Sequence, residues 1–132
     1  MDIPKVTIII PCYNAEKWIN ECIWTVCDQD YKNLEVIFVD NESTDNSLQI
    51  AKEQAARLET LETHPNLVIA SAKNIYPNCW DEARSRGFEL MTGDYVLVMG
   101  ADDFLEQGFI SKCMKIILTR PEQILALQSP IR

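Results

Sequence analysis

Histidine occurs once in this chain, glycine only four times, and no two of the five cysteines stand as a CxxC pair. Each shortage closes off or counts against a class of chemistry. A lone His64 with no cysteine or acid at ligand spacing excludes the common structural zinc sets. "PCYNAEKW", which follows the first apolar run, contains no glycine and so no glycine-rich phosphate loop of the kind nucleotidyltransferases carry there. Basic residues are also few: 12 Lys and Arg face 20 Asp and Glu, for a formal net charge of -8. With no clustered basic face, a nucleic acid is excluded as a partner, and any anionic ligand needs a metal ion or a helix N-terminus to hold it. No apolar run approaches the ~18 residues of a helical membrane span, so no bilayer crossing is expected. Met1 runs directly into "DIPKV" with no secretory pattern. The odd cysteine set (Cys12, Cys22, Cys27, Cys79, Cys113) is therefore expected as reduced, buried thiols in a cytoplasmic protein. Contact with the inner face of a membrane is expected only through a partner.

What is present is an ordinary globular composition. With 132 residues, 47% hydrophobic and 24% charged, the chain can bury one core, and a single domain over residues 1–132 is expected. Val6–Ile10 ("VTIII") is a β-branched run typical of a strand covered on both faces, with Pro11 expected to end it. Behind Asn14 as N-cap, Trp18, Ile19, Cys22, Ile23 and Val26 recur at helical spacing up to about Asp28. Leu34–Val39 reads as a second strand. Ser43 and Asp45 are candidate caps for a second helix, whose stripe runs from Leu48 through Leu58 and ends near Glu62. Leu67–Ala70 is a short third strand. "PNCWDEARSRGFELM" predicts a third helix with a proline start and Trp80, Ala83, Phe88 and Met91 on its apolar face. Tyr95–Met99 is the fourth strand and Gln107–Thr119 the fourth helix, after which "RPEQILALQSPIR" begins a further element.

Strands alternating with helices predict parallel crossovers and an α/β sheet covered on both faces. In such sheets ligands bind beyond the carboxyl ends of the strands. Three polar clusters stand at those ends: "PCYN" (Pro11–Asn14), "DNESTD" (Asp40–Asp45) and "GADD" (Gly100–Asp103). Each alone has an ordinary explanation as a turn, a cap or a solvated loop. With strand order 3-2-1-4, however, the three ends are neighbours and converge on one crevice. That crevice suits a nucleotide diphosphate. Tyr13 can stack on a base, Asp40 can accept from a base N–H or a ribose hydroxyl, and Asp102 offers oxygen ligands for Mg²⁺ or Mn²⁺ against the phosphates. The cation supplies the positive charge that an acidic chain lacks.

These residues resemble the inverting family 2 glycosyltransferases of GT-A fold. The similarity runs from "VTIIIPCYNAEKWINECIWTVCDQDYKNLEVIFVDNESTDNSLQIAKE" through "EARSRGFELMTGDYVLVMGADDFLEQG". The resemblance implies a Rossmann-like parallel sheet and transfer of a sugar from a nucleotide-diphosphate sugar, UDP favoured, in cell-surface polysaccharide or glycan synthesis. The acceptor would be a glycan or a lipid-linked molecule. It also implies nucleotide contacts at Pro11, Tyr13, Asp40 and Ser43, with Asp102 as metal ligand and Asp103 beside it.

Two departures from the family pattern stand out. Gly100 occupies a position where the family usually has an aspartate. "ARSRG" (Ala83–Gly87) carries Ser85 where the family has asparagine, which leaves Arg84 as a phosphate or base contact on its own. After Phe104 neither Glu106 nor Glu122 fits the family's general base, so the catalytic residue is unassigned and the chain reads as the donor-binding half. Apolar surface around Ile116, Ile117, Ile124, Leu125 and Leu127 is then expected to be exposed and to favour a homo-oligomer. Two other functions stay open: a non-catalytic nucleotide-sugar-binding or assembly module, suggested by Gly100, and a metal-dependent nucleotidyltransferase. A receiver-type phosphoacceptor would need its acid pair after the first strand rather than the fourth. His64 is assigned no role.

Overall fold

The computed structural model describes residues 3–75 and 80–119. Its elements are β1 (Val6–Cys12), α1 (Ile19–Cys27), β2 (Leu34–Asp40), α2 (Ser47–Glu59), β3 (Leu67–Ser71), α3 (Asp81–Leu90), β4 (Tyr95–Val98) and α4 (Phe109–Thr119). The four strands form one sheet in the order β3-β2-β1-β4, and every neighbouring pair is parallel. The α/β class and the 3-2-1-4 order expected from the sequence are both present.

The sheet is apolar on both sides because its central strands are rich in β-branched and other apolar residues, and alternate residues feed opposite layers. Ile8, Ile10, Val36 and Phe38 face α1, α2 and α4 in the larger core. Ile9, Ile37 and Val39 face α3 in the smaller one. The face of α3 differs from the sequence expectation. Ala83 and Gly87 are its buried residues, whereas Phe88 and Trp80 are largely exposed. A Cβ placed on Gly87 would lie 2.5 Å from Cγ2 of Ile9, so this glycine is what lets α3 settle against β1.

Pro11 does not end β1. It pairs with Val39 inside the strand. The carbonyl of Ile9 accepts from the Met99 amide at 3.0 Å, so this parity of β1 faces β4, whose pairing stops at Val98. Two residues on, Pro11 faces the same side beyond the end of β4, where its missing N–H costs no ladder bond. Asn14 does not cap α1 either. The helix begins at Ile19, after Ala15 has accepted from the amides of Trp18 and Ile19. The other boundaries move by a few residues: α3 starts at Asp81 and α4 at Phe109.

Candidate functional site

The carboxyl ends of β1 and β2 are joined where the Asn41 amide donates to the carbonyl of Cys12 at 2.8 Å. From there each strand turns through a residue in the left-handed region, Asn14 (φ 50) after β1 and Glu42 (φ 58) after β2. Such backbone is uncommon for side chains other than glycine and concentrates at functional sites. The structure holds both turns in place with side chains. Asn14 Oδ1 accepts from the amides of Thr44 (2.7 Å) and Asp45 (3.3 Å), while its own amide donates to Ser43 Oγ at 3.0 Å. Ser47 Oγ accepts from the Ala15 amide at 2.8 Å. Glu42 Oε1 accepts from the Asn74 amide at 2.7 Å, which ties the β2 turn to the segment after β3.

Asp45 serves the start of α2 from one residue before the N-cap Asn46, by accepting from the amide and hydroxyl of Ser47 at 2.9 and 2.6 Å. Burial would raise its pKa, but these bonds and the Glu16 amide outweigh it and hold the carboxyl below its ordinary value. Ser43 is not a cap of α2. Its hydroxyl supports Asn14 and its amide donates to Asp40 Oδ2 at 3.1 Å.

Asp40 is only 4% exposed, and its second oxygen, Oδ1, is buried without a hydrogen-bond partner among the described residues. A carboxylate oxygen left in that state is costly unless a ligand donor reaches it. Past the carboxyl ends of β1 and β4 runs a cleft of about 130 Å³ lined by Pro11, Tyr13, Asn14, Ala15, Trp18, Trp80, Ala101 and Asp102. Thus β1 and the β4 end deliver Pro11, Tyr13 and Asp102 to one cavity, while Asp40 and Ser43 stand behind its Asn14 wall rather than in the lining. Arg84 lines neither this cleft nor the groove of about 300 Å³ along α3, and it pairs with Asp81 one turn back on the same helix.

Trp18 and Trp80 were not anticipated in the cleft. Both are 45% exposed, and Tyr13 is 37% exposed, so three aromatic rings face solvent around one small cavity. Helical spacing puts both tryptophans on apolar helix faces; their position beside helix starts, next to strand-end loops, is the signal that spacing hides.

The acidic turn is closed by two bonds, Asp103 amide to Gly100 carbonyl at 3.1 Å and Gly100 amide to Asp103 Oδ2 at 3.3 Å. A Cβ on Gly100 would stand 2.9 Å from Asp102 Oδ1 and 3.1 Å from Asp103 Oδ2. Both carboxylates therefore fold back over the space that an aspartate at position 100 would fill. Among the described residues no group of three or more His, Cys, Asp or Glu side chains is arranged to hold a metal ion. The donor set fits a hard cation that takes two carboxylates from protein and completes its shell with phosphate and water. Behind the turn, burial together with Asp103 and other neighbours pushes the Cys22 thiol up to about 12, so it remains a neutral donor. Cys12, Cys22 and Cys27 are buried and Cys113 is partly so, all as free thiols; Cys79 lies outside the described residues.

Residues 7–131 match the family described as Glycosyl transferase family 2. The chain belongs to this family. Among curated relatives, an uncharacterized glycosyltransferase of Haemophilus influenzae is 32% identical over 121 residues, covering 89% of this chain and 44% of its own length. Among solved structures, the family 2 chain is similar to S. aureus TarS in complex with UDP-GlcNAc, with a TM-score of 0.74 and 26% identity over 89% of this chain and 32% of that one. It is also similar to mannosyltransferase PcManGT from Pyrobaculum calidifontis in complex with GDP-Man and Mn²⁺, with a TM-score of 0.72 and 25% identity over 86% and 32% of the two chains. The chain thus spans less than half the length of these relatives.

His64 has the acid partner that its sequence neighbourhood did not reveal. Its Nε2 lies 3.2 Å from Asp28 Oδ1, its ring stacks on Trp24 at 5.4 Å, and the Arg57 guanidinium sits 4.9 Å over the other aromatic system. This cluster is at the amino ends of the strands, away from the cleft. Of the expected exposed apolar surface, Ile116 is exposed and Ile117 is partly packed on the core, while Ile124, Leu125, Leu127 and Glu122 lie outside the described residues. No helix among the described residues is long and apolar enough to cross a membrane.

Proposed function

We propose that this chain binds a nucleotide-diphosphate sugar, UDP-sugar favoured, and forms the donor-side part of a glycosyltransferase acting on a glycan or lipid-linked acceptor in cell-surface polysaccharide or glycan synthesis. The observation that carries this is the shared cleft of Tyr13 and Asp102, an aromatic ring and a carboxylate from two strands that flank the switch in strand order. The base stacks on Tyr13, flanked by the indoles of Trp18 and Trp80, with Pro11 as floor. Asp40 Oδ1 accepts from the base N–H or ribose, which would relieve its unpartnered state. Ser43 keeps a hydroxyl proton to donate while its oxygen holds the Asn14 amide. Arg84 reaches the phosphates by releasing Asp81.

Asp102, with Asp103 beside it, would hold Mn²⁺ or Mg²⁺. When bound, the cation neutralises charge that gathers on the leaving diphosphate. The solved complexes of similar proteins with UDP-GlcNAc and with GDP-Man and Mn²⁺ support this donor chemistry. The general base of an inverting transfer stands across the donor from Asp102, and no described residue is assigned to it. The test is calorimetry and thermal shift with uridine, UDP, GDP and dTDP, each with and without Mn²⁺. UDP is expected to raise the melting temperature and Mn²⁺ to increase that rise, since a ligand of the native state alone stabilises by mass action. No response to any nucleotide overturns the proposal, and identical responses with and without Mn²⁺ remove its metal site.

A further inference from the structure

Cys22 and Thr25 on α1, and Gln29 just past the helix end at Cys27, form one polar row. Each is bonded to the backbone of the segment that leaves β4. The Cys22 thiol donates to the Gly100 carbonyl at 3.7 Å. Thr25 Oγ1 accepts from the Leu105 amide at 3.1 Å. Gln29 Nε2 donates to the Glu106 carbonyl at 2.9 Å, and its Oε1 accepts from the Ile110 amide at 3.2 Å. Ile110 lies in the first turn of α4, whose amides have no acceptor within the helix, so Gln29 also caps α4 from outside.

The chemistry of position 29 is narrow. Only a carboxamide presents donors to two carbonyls, those of Glu106 and Thr25, and an acceptor to one amide. Gln29 is 9% exposed, so whatever is left unbonded there stays away from water. An apolar side chain would strand these groups, and a glutamate would set a charged oxygen against carbonyl oxygens. The same helix begins beside Trp18 and Ala15, which line the cleft. One rigid element thus spans the nucleotide wall and the acidic turn.

We propose that Gln29, with Thr25, is a positioning residue: it fixes the segment from Leu105 to Ile110 on the last turn of α1 and the residues just after it, and thereby holds the Gly100–Asp103 turn in register with the cleft. The inference rests on the proposed nucleotide and cation binding, and it assigns these residues no contact with ligand. Its effect falls on the diphosphate and cation, not on the base.

The decisive variant is Gln29→Glu, which keeps size and shape while removing both donations. Calorimetry on the full chain with uridine, UDP, and UDP plus Mn²⁺ is read beside amide hydrogen exchange. The variant is expected to lose about tenfold of the Mn²⁺-dependent gain in UDP affinity, with uridine affinity unchanged. The Leu105 and Ile110 amides should exchange faster while those of β1 and β2 stay protected. Thr25→Val, a milder change, should lose about threefold of the same gain and decides the matter if Gln29→Glu does not fold. A folded variant with undiminished Mn²⁺ gain overturns the inference and leaves the proposed function standing. A wild-type chain whose UDP binding ignores Mn²⁺ overturns the proposed metal site and the inference with it.

Discussion

The two ends of the sheet are built from similar residues and treat their polar groups in opposite ways. At the amino ends, Glu35 accepts from Thr7 Oγ1 (2.8 Å), the Thr92 amide (2.7 Å) and Thr92 Oγ1 (2.8 Å), with Lys5 Nζ at 3.6 Å. Asp94 accepts from the Lys5 amide at 2.9 Å, and His64 is held between Asp28 and Trp24. At the carboxyl ends, two residues adopt left-handed backbone, three aromatic rings face a cleft, and Asp40 keeps a buried oxygen without a partner. The first end spends its hydrogen bonds on stability. The second leaves a buried acceptor unsatisfied and an aromatic wall and an acid turn facing solvent, and local conflict of that kind is where function is expected.

The largest effect should come from breaking the satisfied end. Glu35→Ala leaves Thr7 and Thr92 without their acceptor and is expected to lower stability by about 2–3 kcal/mol, with UDP affinity unchanged. Denaturant unfolding beside calorimetry checks both halves; an equal loss of affinity would abolish the contrast between the ends. The same residue sets a pH dependence. Burial raises the Glu35 pKa, but the Thr92 and Thr7 bonds and Lys5 outweigh it, so the folded value lies below the ordinary one. Its stabilisation is therefore present above the unfolded pKa of about 4.3 and is lost as pH falls through the lower, folded value. Wild type should lose stability in that acid window faster than Glu35→Ala does.

Next in size is the opposite end. Asp40→Asn keeps an oxygen for the Ser43 amide and removes a buried charge, so stability should hold or rise by up to about 1 kcal/mol. Affinity for uridine and UDP alike should fall about tenfold, or about 1.4 kcal/mol. A clear loss of stability with intact binding would show that Oδ1 is structural and not aimed at a ligand.

A smaller effect is expected at His64. His64→Ala removes the Trp24 stack and the Asp28 contact, both partly exposed, for about 1 kcal/mol and no change in nucleotide affinity. Urea midpoints of the variant and wild type decide it. A shift in UDP affinity would mean that the amino end communicates with the cleft through α1.

How much of this could be read from the chain follows the range of each interaction. The strands were legible because "VTIII" and "LEVIFV" carry their pattern within a few residues, and the acid turn and Asp40 because they close such runs. The face of α3 was misread because Gly87, which packs directly on Ile9 of the sheet, has no side chain to register in an apolar stripe. Trp18 and Trp80 were misread because an indole counts as apolar wherever it points. The partners of Asn14 and Gln29 escape a sequence reading for another reason: their bonds reach residues 30 and 77 positions away, and no local pattern marks such partners. Pro11 looked like a stop because its missing donor matters only if a neighbouring strand is there to receive it.

The smallest expected effect tests whether Gly100 sharpens or blunts the acidic turn. A Cβ at that position meets only the far ends of two exposed side chains, Asp102 Oδ1 and Asp103 Oδ2, which can swing aside into solvent. Gly100→Ala should therefore cost less than about 1 kcal/mol, as surface changes usually do. Moving those carboxylates apart should weaken the Mn²⁺-dependent gain in UDP affinity by about two- to threefold. Gly100→Asp displaces them equally but brings its own oxygens, a third acid among two. Without metal the three like charges repel, and the melting temperature should drop slightly below that of Gly100→Ala. With Mn²⁺ the added ligand should reverse the order and lift the gain above wild type. Thermal shift across a Mn²⁺ titration of the three proteins reads all of this, and an aspartate variant that never overtakes alanine would show that two carboxylates already complete the protein's share of the site.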